Sequence, residues 1–195
     1  MKIKIPFEKI YTSVYYIQGK GRRFLMDGGT DEEAAKKYIL PMLKDGAPDF
    51  FIVSHSHGDH LGALPYLQSV YPNASVYFFD KNLLKIFPKG KLLSDGEEIA
   101  GVRFFLTQGH SEDSLCAFVQ DEGTVYSFDS LQAGGAEGYG VLVQDKKAYR
   151  ETVEKIRSLK PKKLYLSHAF LPFKKDELEE EEIEGFLNEC LNRVK

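Results

Sequence analysis

The chain has 195 residues, 43% of them hydrophobic and 28% charged, which is enough for one sizeable core and an ordinary globular composition. A formal net charge of −3 lacks the basic excess of a phosphate-binding surface, so a nucleic-acid partner is not expected. No stretch approaches the roughly 20 apolar residues of a membrane span. Pro6 and Glu8 interrupt the start of the chain before an apolar signal-peptide core can form, so the expected compartment is the cytoplasm and no membrane partner is expected. Two cysteines, Cys116 and Cys190, make no disulfide framework and read as small buried hydrophobes.

Taken in order, Val14 to Ile17 and Arg23 to Met26 read as paired strands around the turn Gly19-Lys20-Gly21, and Asp27 to Thr30 as a turn. Asp31 to Leu43 has helical periodicity, with Ala34, Ala35, Tyr38, Ile39 and Leu43 on one stripe. Phe50 to Val53 is a wholly apolar run, expected as a buried strand, followed by a helix from about His60 to Val70. Further strands are expected at Val76 to Phe79, Val102 to Leu106, Leu115 to Val119, Thr124 to Phe128 and Lys163 to Ser167. A Gly-rich loop, Gly134 to Gly140, precedes a helix from about Asp145 to Leu159. A last helix is expected from about Asp176 to Val194, with the acidic run Glu179 to Glu182 as its solvated face. Strands separated by helices, with hairpins early and in the middle, predict an α/β fold of mixed sheets under covering helices, in one domain over residues 1–195.

All five histidines fall at the ends of expected strands. His55, His57 and His60 crowd the run His55-Ser56-His57-Gly58-Asp59-His60. An i, i+2 pair on extended backbone points both imidazoles one way. Gly58 is expected to turn the chain, so that Asp59 and His60 face a second point. His110 follows Val102 to Leu106, His168 follows Lys163 to Leu166, and Asp129 comes straight after Thr124 to Phe128. A lone histidine after a strand reads as a satisfied core residue; five of five do not. Imidazole and carboxylate together suit zinc, with manganese or iron as alternatives. Seven such ligands suffice for two divalent ions about 3.5–4 Å apart, a bridging carboxylate and a hydroxide formed near neutral pH.

At these residues the sequence resembles the metallo-β-lactamase superfamily: His-x-His-x-Asp-His, a later His in a Gly-His loop, an Asp after a strand and a final His, all in order over residues 55 to 168. Phe24-Leu25-Met26-Asp27-Gly28-Gly29 is similar to the family's early strand and Asp-x-Gly turn. The resemblance implies an αββα sandwich of two mixed sheets flanked by helices. It implies that His55, His57 and His110 hold one metal, that Asp59, His60 and His168 hold the other, and that Asp129 bridges them. Asp59 and Asp129 become the catalytic carboxylates, and Asp27 supports a ligand histidine from behind. The sequence departs from the family at Ser111-Glu112-Asp113-Ser114, where Thr-Pro-Gly-Ser is usual, and at Ser167, where Gly often precedes the last histidine.

The expected activity is hydrolysis of a small ester, thioester or lactone by a hydroxide bridging two metals, as in glyoxalase II-like or lactonase-like members. A phosphodiesterase or nuclease of the same fold is the alternative. It lacks a basic stripe, and Lys81, Lys85, Lys89 and Lys91 read as solvated surface. A persulfide-dioxygenase-like enzyme with one iron is a further alternative, separable by metal content. Flavodiiron chemistry is disfavoured because His57 stands where those proteins have Glu. The loop Gln132 to Gly140 starts three residues past Asp129 and is expected to form a lip over the site, with Tyr139 as a possible hydrogen-bond donor to substrate. The sequence leaves the oligomeric state open.

Overall fold

The computed structural model describes residues 1–44 and 46–194. It divides into two compact units, one from Met1 to Ser94 and one from Asp95 on.

The first unit is a six-stranded sheet in the order β1-β2-β3-β4-β5-β6, formed by β1 (Lys2–Phe7), β2 (Ile10–Gly19), β3 (Arg22–Met26), β4 (Phe50–Ile52), β5 (Ser75–Phe78) and β6 (Lys91–Leu92). The β1, β2 and β3 strands pair antiparallel; β3 to β6 pair parallel. One core packs Ile3, Ile5, Val14, Leu25, Phe51 and Phe78 with Ala35, Ile39, Leu64 and Leu67 from the helical segments. The buried stripe expected over Asp31 to Leu43 is present, but one regular helix is not. After α1 (Glu32–Ala34), capped by Asp31, come a π turn at Ala35–Ile39 and a 3-10 turn at Leu40–Leu43. Pro41 has no N–H to give to the turn before it, so the regular ladder cannot run through. The helix expected over His60 to Val70 is likewise two pieces, α2 (Gly58–Leu61) and α3 (Leu64–Val70), with Pro65 in the first turn of the second. Gly62 lies at the break, where a Cβ would come within 1.8 Å of the Thr30 carbonyl oxygen.

The second unit is also a mixed six-stranded sheet, in the order β12-β11-β10-β9-β8-β7. Its strands are β7 (Glu97–Ile99), β8 (Val102–Leu106), β9 (Leu115–Val119), β10 (Thr124–Phe128), β11 (Lys163–Phe170) and β12 (Lys175–Glu179). Only β10 and β11 pair parallel. The β9 and β10 strands are buried along their whole length. Among the described residues this unit carries two α-helices. In α4 (Lys146–Ser158), Asp145 caps the N-terminus and Tyr149, Thr152, Val153 and Ile156 are buried. In α5 (Glu180–Asn192), Ile183, Phe186, Leu187 and Cys190 are buried, and the helix packs on α4, β11 and β12.

One expectation is corrected here, while the acidic run Glu179 to Glu182 faces solvent as expected. Asp176 to Glu179 is strand, not helix, and Leu178 is buried in that strand. The acidic run is the start of α5: Glu179 and Glu182 form a reciprocal capping box, and Glu180 to Glu182 fill the first turn, where the helix dipole favours negative charge. Among the described residues no helix is long and apolar enough to cross a membrane.

Candidate metal centre

In the first unit the ligand-type side chains sit between the end of β4 and α2. The chain leaves β4 through Val53 and Ser54, both buried, and reaches His55 on the way to the helix. His57 is the N-cap of α2 in extended conformation, so His55 and His57 are neighbours, their Nε2 and Nδ1 atoms 3.0 Å apart. One turn of helix then carries Asp59 and His60, whose Oδ2 and Nε2 lie 3.3 Å apart. His55 and His60 also bring ligand-type nitrogens within 4.8 Å of each other. Gly58, expected as the hinge of this run, is the first residue of α2; it has no positive φ, and a Cβ there would meet nothing within 4 Å. The turn is made by helix initiation at His57, not by glycine.

A buried cradle lies under these residues. Asp27 is fully buried, as expected of a residue that supports a ligand histidine. It follows β3 with φ at +67°, a conformation that aspartate tolerates better than most side chains. Backbone bonds clamp it on both sides: its N–H donates to the Ile52 carbonyl at 2.8 Å, and the Gly28 N–H donates to that of His60 at 2.7 Å. Its carboxylate accepts from the Ser54 N–H at 2.8 Å, the Ser54 hydroxyl at 2.7 Å and His60 Nδ1 at 2.8 Å. The Ser54 Oγ stands 3.0 Å from His55 Nδ1 as well. An ionised carboxylate only accepts, so the hydrogen of His60 sits on Nδ1 and its Nε2 keeps a lone pair. Thr12 Oγ1 in β2 donates to Asp59 Oδ2 at 2.8 Å.

The second unit supplies His110, Asp129 and His168, each aimed by a local irregularity. The loop after β8 closes with the Thr107 N–H on the Ser114 carbonyl, and the hydroxyls of Ser111 and Ser114 lie 2.6 Å apart. Gly109 has φ at +128°, and a Cβ there would sit 2.4 Å from the Tyr149 Cα, so glycine is what lets α4 approach the residue before His110. Gly109 O in turn accepts from the Gln144 and Asp145 N–H groups. At the end of β10 the register against β11 slips between Tyr126 and Phe128, and Phe128 adopts φ +49°, turning the chain sharply into Asp129. A bulky side chain in that region is strained, and such strain gathers at functional sites. The β11 strand runs through His168 rather than ending before it. Its register with β12 is irregular between Tyr165 and Phe170, a disruption of the kind that re-aims side chains next to active sites.

As a result, the two oxygens of Asp129 serve different imidazoles. Oδ2 lies 3.6 Å from His110 Nε2 and Oδ1 lies 3.4 Å from His168 Nε2. His110 Nδ1 is 2.9 Å from the Leu142 carbonyl oxygen. Imidazoles with one nitrogen tied back and the other turned toward a carboxylate are a donor set that fits a divalent metal.

Sequence reasoning missed Ser54, Thr12, Gln132 as a side chain, and Tyr149. The Tyr149 hydroxyl, held neutral by burial that pushes its pKa up, accepts from the Gln132 N–H at 2.7 Å and donates to the Gln132 carbonyl at 3.2 Å. Tyr139 is 39% exposed. The loop carrying it is tied to β11: Ala136 bridges Phe170, and the Leu171 N–H donates to the Gly135 carbonyl. Two of the loop's glycines serve tight packing within this unit: a Cβ on Gly135 would sit 2.6 Å from Tyr139 O and one on Gly134 2.5 Å from Leu171 O.

Comparison with known proteins bears on the family and the fold. A family model described as the metallo-β-lactamase superfamily matches residues 9–80. An atrochrysone carboxyl ACP thioesterase of Aspergillus fumigatus is 27% identical over 155 residues, 74% of this chain and 46% of its own. A hydroxyacylglutathione hydrolase of Francisella tularensis subsp. novicida is 29% identical over 112 residues, 55% of this chain and 44% of its own. The chain thus spans less than half the length of these curated relatives. Among solved structures, a flavo di-iron protein mutant from Thermotoga maritima superposes with a TM-score of 0.76 at 24% identity, covering 98% of this chain and 55% of that one. A metallo-β-lactamase family protein from Thermus thermophilus superposes with a TM-score of 0.75 at 16% identity, covering 98% and 78%. At these identities the two structures establish the fold: two mixed six-stranded sheets flanked by helices.

Proposed function

Because the chain belongs to the metallo-β-lactamase superfamily, we propose that it is a metal-dependent hydrolase of a small ester, thioester or lactone. The proposed ligands are those expected from the sequence. His55, His57 and His110 would hold one divalent cation, Asp59, His60 and His168 a second, and Asp129 would serve both. The observation that carries this reading is the division of the Asp129 carboxylate, one oxygen toward His110 and the other toward His168. A carboxylate placed that way is suited to serve two cations.

Zinc matches the imidazole and carboxylate donors best, and manganese or iron would accept the same set. Bound there, the cations would supply Lewis acidity at a carbonyl oxygen and acidify a water to a pKa of about 7. The chain's own residues hold the donors ready. Asp27 keeps the His60 hydrogen on Nδ1, Thr12 fixes one oxygen of Asp59, and Tyr139 is proposed to stand at the lip as a phenol donor. A thioesterase and a hydroxyacylglutathione hydrolase among the relatives support an acyl bond as the one cleaved. The partner is then a small molecule; the expected compartment stays the cytoplasm.

The test is metal analysis by mass spectrometry beside a panel of ester, thioester, lactone and phosphodiester substrates. Two equivalents of metal with acyl cleavage are expected. Turnover of phosphodiesters alone, or one iron at full loading with persulfide oxidation, would replace this reading.

A further inference from the structure

The sequence presents Gln132 only as the first residue of a loop. Its side chain is buried and makes three polar contacts, two of them to backbone groups whose roles are fixed. The Leu142 N–H can only donate, and it meets Oε1 at 2.9 Å. The Asp129 carbonyl can only accept, and it meets Nε2 at 3.4 Å. Together they set the amide orientation, with Tyr149 holding the backbone of the same residue. What Gln132 presents to His110 Nδ1, at 2.8 Å, is therefore an NH2 donor.

The same nitrogen lies 2.9 Å from the Leu142 carbonyl oxygen, which can only accept. A neutral imidazole nitrogen carries a hydrogen or a lone pair, not both, so these two partners compete. With the hydrogen on Nδ1, His110 bonds to Leu142 and its Nε2, facing Asp129, has a lone pair. With the hydrogen on Nε2, His110 accepts from Gln132 and Nε2 is not a ligand. At His60, by contrast, Nδ1 faces the Asp27 carboxylate, which accepts, and the Ser54 hydroxyl beside it gives its hydrogen to that same carboxylate.

We infer that Gln132 is a positioning residue that holds His110 between a ligating and a non-ligating tautomer, and so weakens metal binding at His110 relative to the other histidine ligands. Its affinity consequence rests on the metal reading above; its tautomer consequence does not. Leu142 meets both partners through its backbone, its N–H on Gln132 and its carbonyl oxygen on His110, two residues past the loop that carries Tyr139.

The experiment uses the full chain, metal-free, with 15N-labelled histidine, and two variants. Gln132→Glu keeps an acceptor for the Leu142 N–H and turns the competing donor into an acceptor. Gln132→Met removes the donor and leaves Leu142 as the partner of Nδ1. The expected result is an Nε2–H population at His110 in the parent protein, shifted to Nδ1–H in both variants. Zinc affinity, measured by chelator competition, should rise on the order of tenfold in Gln132→Glu. A purely structural brace predicts the opposite sign: zinc binding weakens in both variants and the tautomer stays put, and that result overturns the inference. If the tautomer shifts in both variants while neither they nor the parent bind zinc, the inference stands and the metal reading falls.

Discussion

Asp27 and His60, 33 positions apart in sequence, are joined by a 2.8 Å hydrogen bond between two fully buried side chains. The bond sets the imidazole tautomer, and the same carboxylate satisfies the Ser54 N–H and hydroxyl. Asp27→Ala should leave that N–H buried and unpaired and lower stability by about 2–4 kcal/mol, read from urea unfolding. Asp27→Asn should be milder for stability, because its oxygen can still serve the Ser54 N–H. It would then turn an NH2 toward His60 Nδ1 and should weaken zinc binding by roughly 10–100-fold. Wild-type zinc affinity in Asp27→Asn would reduce Asp27 to a fold residue.

Asp59 and Asp129 should separate activity from stability. Asp59 accepts from the Thr12 hydroxyl, and Asp129 turns its two oxygens toward His110 and His168. Replacing either by Ala removes a proposed ligand without opening a large apolar cavity. Turnover on a confirmed substrate should fall a hundredfold or more, about 2.7 kcal/mol of barrier, with an unfolding midpoint close to the parent. The Asp129→Ala protein should also retain fewer than two metal equivalents after dialysis. Near-parent turnover in either variant would remove that carboxylate from the site.

Gly109→Ala should destabilise the second unit. The added Cβ would fall 2.4 Å from the Tyr149 Cα, and the φ of +128° is one that only glycine adopts readily. Backbone strain and the forced withdrawal of α4 together should lower stability by roughly 2–4 kcal/mol and displace Tyr149 from Gln132. Chemical denaturation gives the first quantity, and a crystal structure or nuclear Overhauser contacts between Tyr149 and Gln132 the second. A fully stable variant with the contact intact would show that the loop before His110 has room to give.

Legibility in the sequence follows burial. The buried strands carrying or preceding ligands are visible as apolar runs, and the metal motif stands out because three histidines within six residues have no ordinary structural use. The strands that the sequence hides are β1, β6, β7 and β12, which are the four edges of the two sheets. Edge strands are short, charged or proline-bearing, as in Lys2–Phe7 with Pro6 and Lys91–Leu92, so they lack a continuous apolar run even where Ile3, Ile5 and Leu178 alternate into the core. Periodicity places the helical segments over Asp31 to Leu43 and His60 to Val70 correctly but reads them as unbroken, because a proline's lost N–H acts on a ladder that periodicity does not count. Ser54, Thr12, Gln132 and Tyr149 are illegible for another reason. Each acts through partners up to 47 residues away, and no local pattern encodes that pairing.

Cys116 and Cys190 should be silent in the folded protein. Both are buried free thiols, and burial pushes each pKa up to about 12. A raised thiol pKa leaves almost no thiolate at pH 8, and access is closed as well. Ellman's reagent should detect no thiol at pH 8 in native protein and two after denaturation. Rapid reaction of one equivalent in native protein would mean that β9 or α5 opens locally.

Tyr139→Phe tests the lip. The ring is 39% exposed, and its backbone N–H donates to the Ala136 carbonyl at 2.9 Å, so the residue projects from a closed turn rather than from a free strand of chain. That turn is fastened by the Ala136 and Phe170 bridge to the strand that carries His168, two residues away from it. A phenol on such a mount needs little ordering to act as a donor, and a donor aimed at charge that develops on a substrate oxygen lowers the barrier. The substitution removes the hydroxyl and keeps the ring, so packing is nearly conserved. A drop in kcat of about tenfold, roughly 1.4 kcal/mol, with KM little changed, is the expected outcome. Loss confined to KM would make the hydroxyl a binding contact for the ground state. Unchanged kinetics on the true substrate would leave Tyr139 as an exposed ring on a well-fastened loop, and the lip would lose its donor.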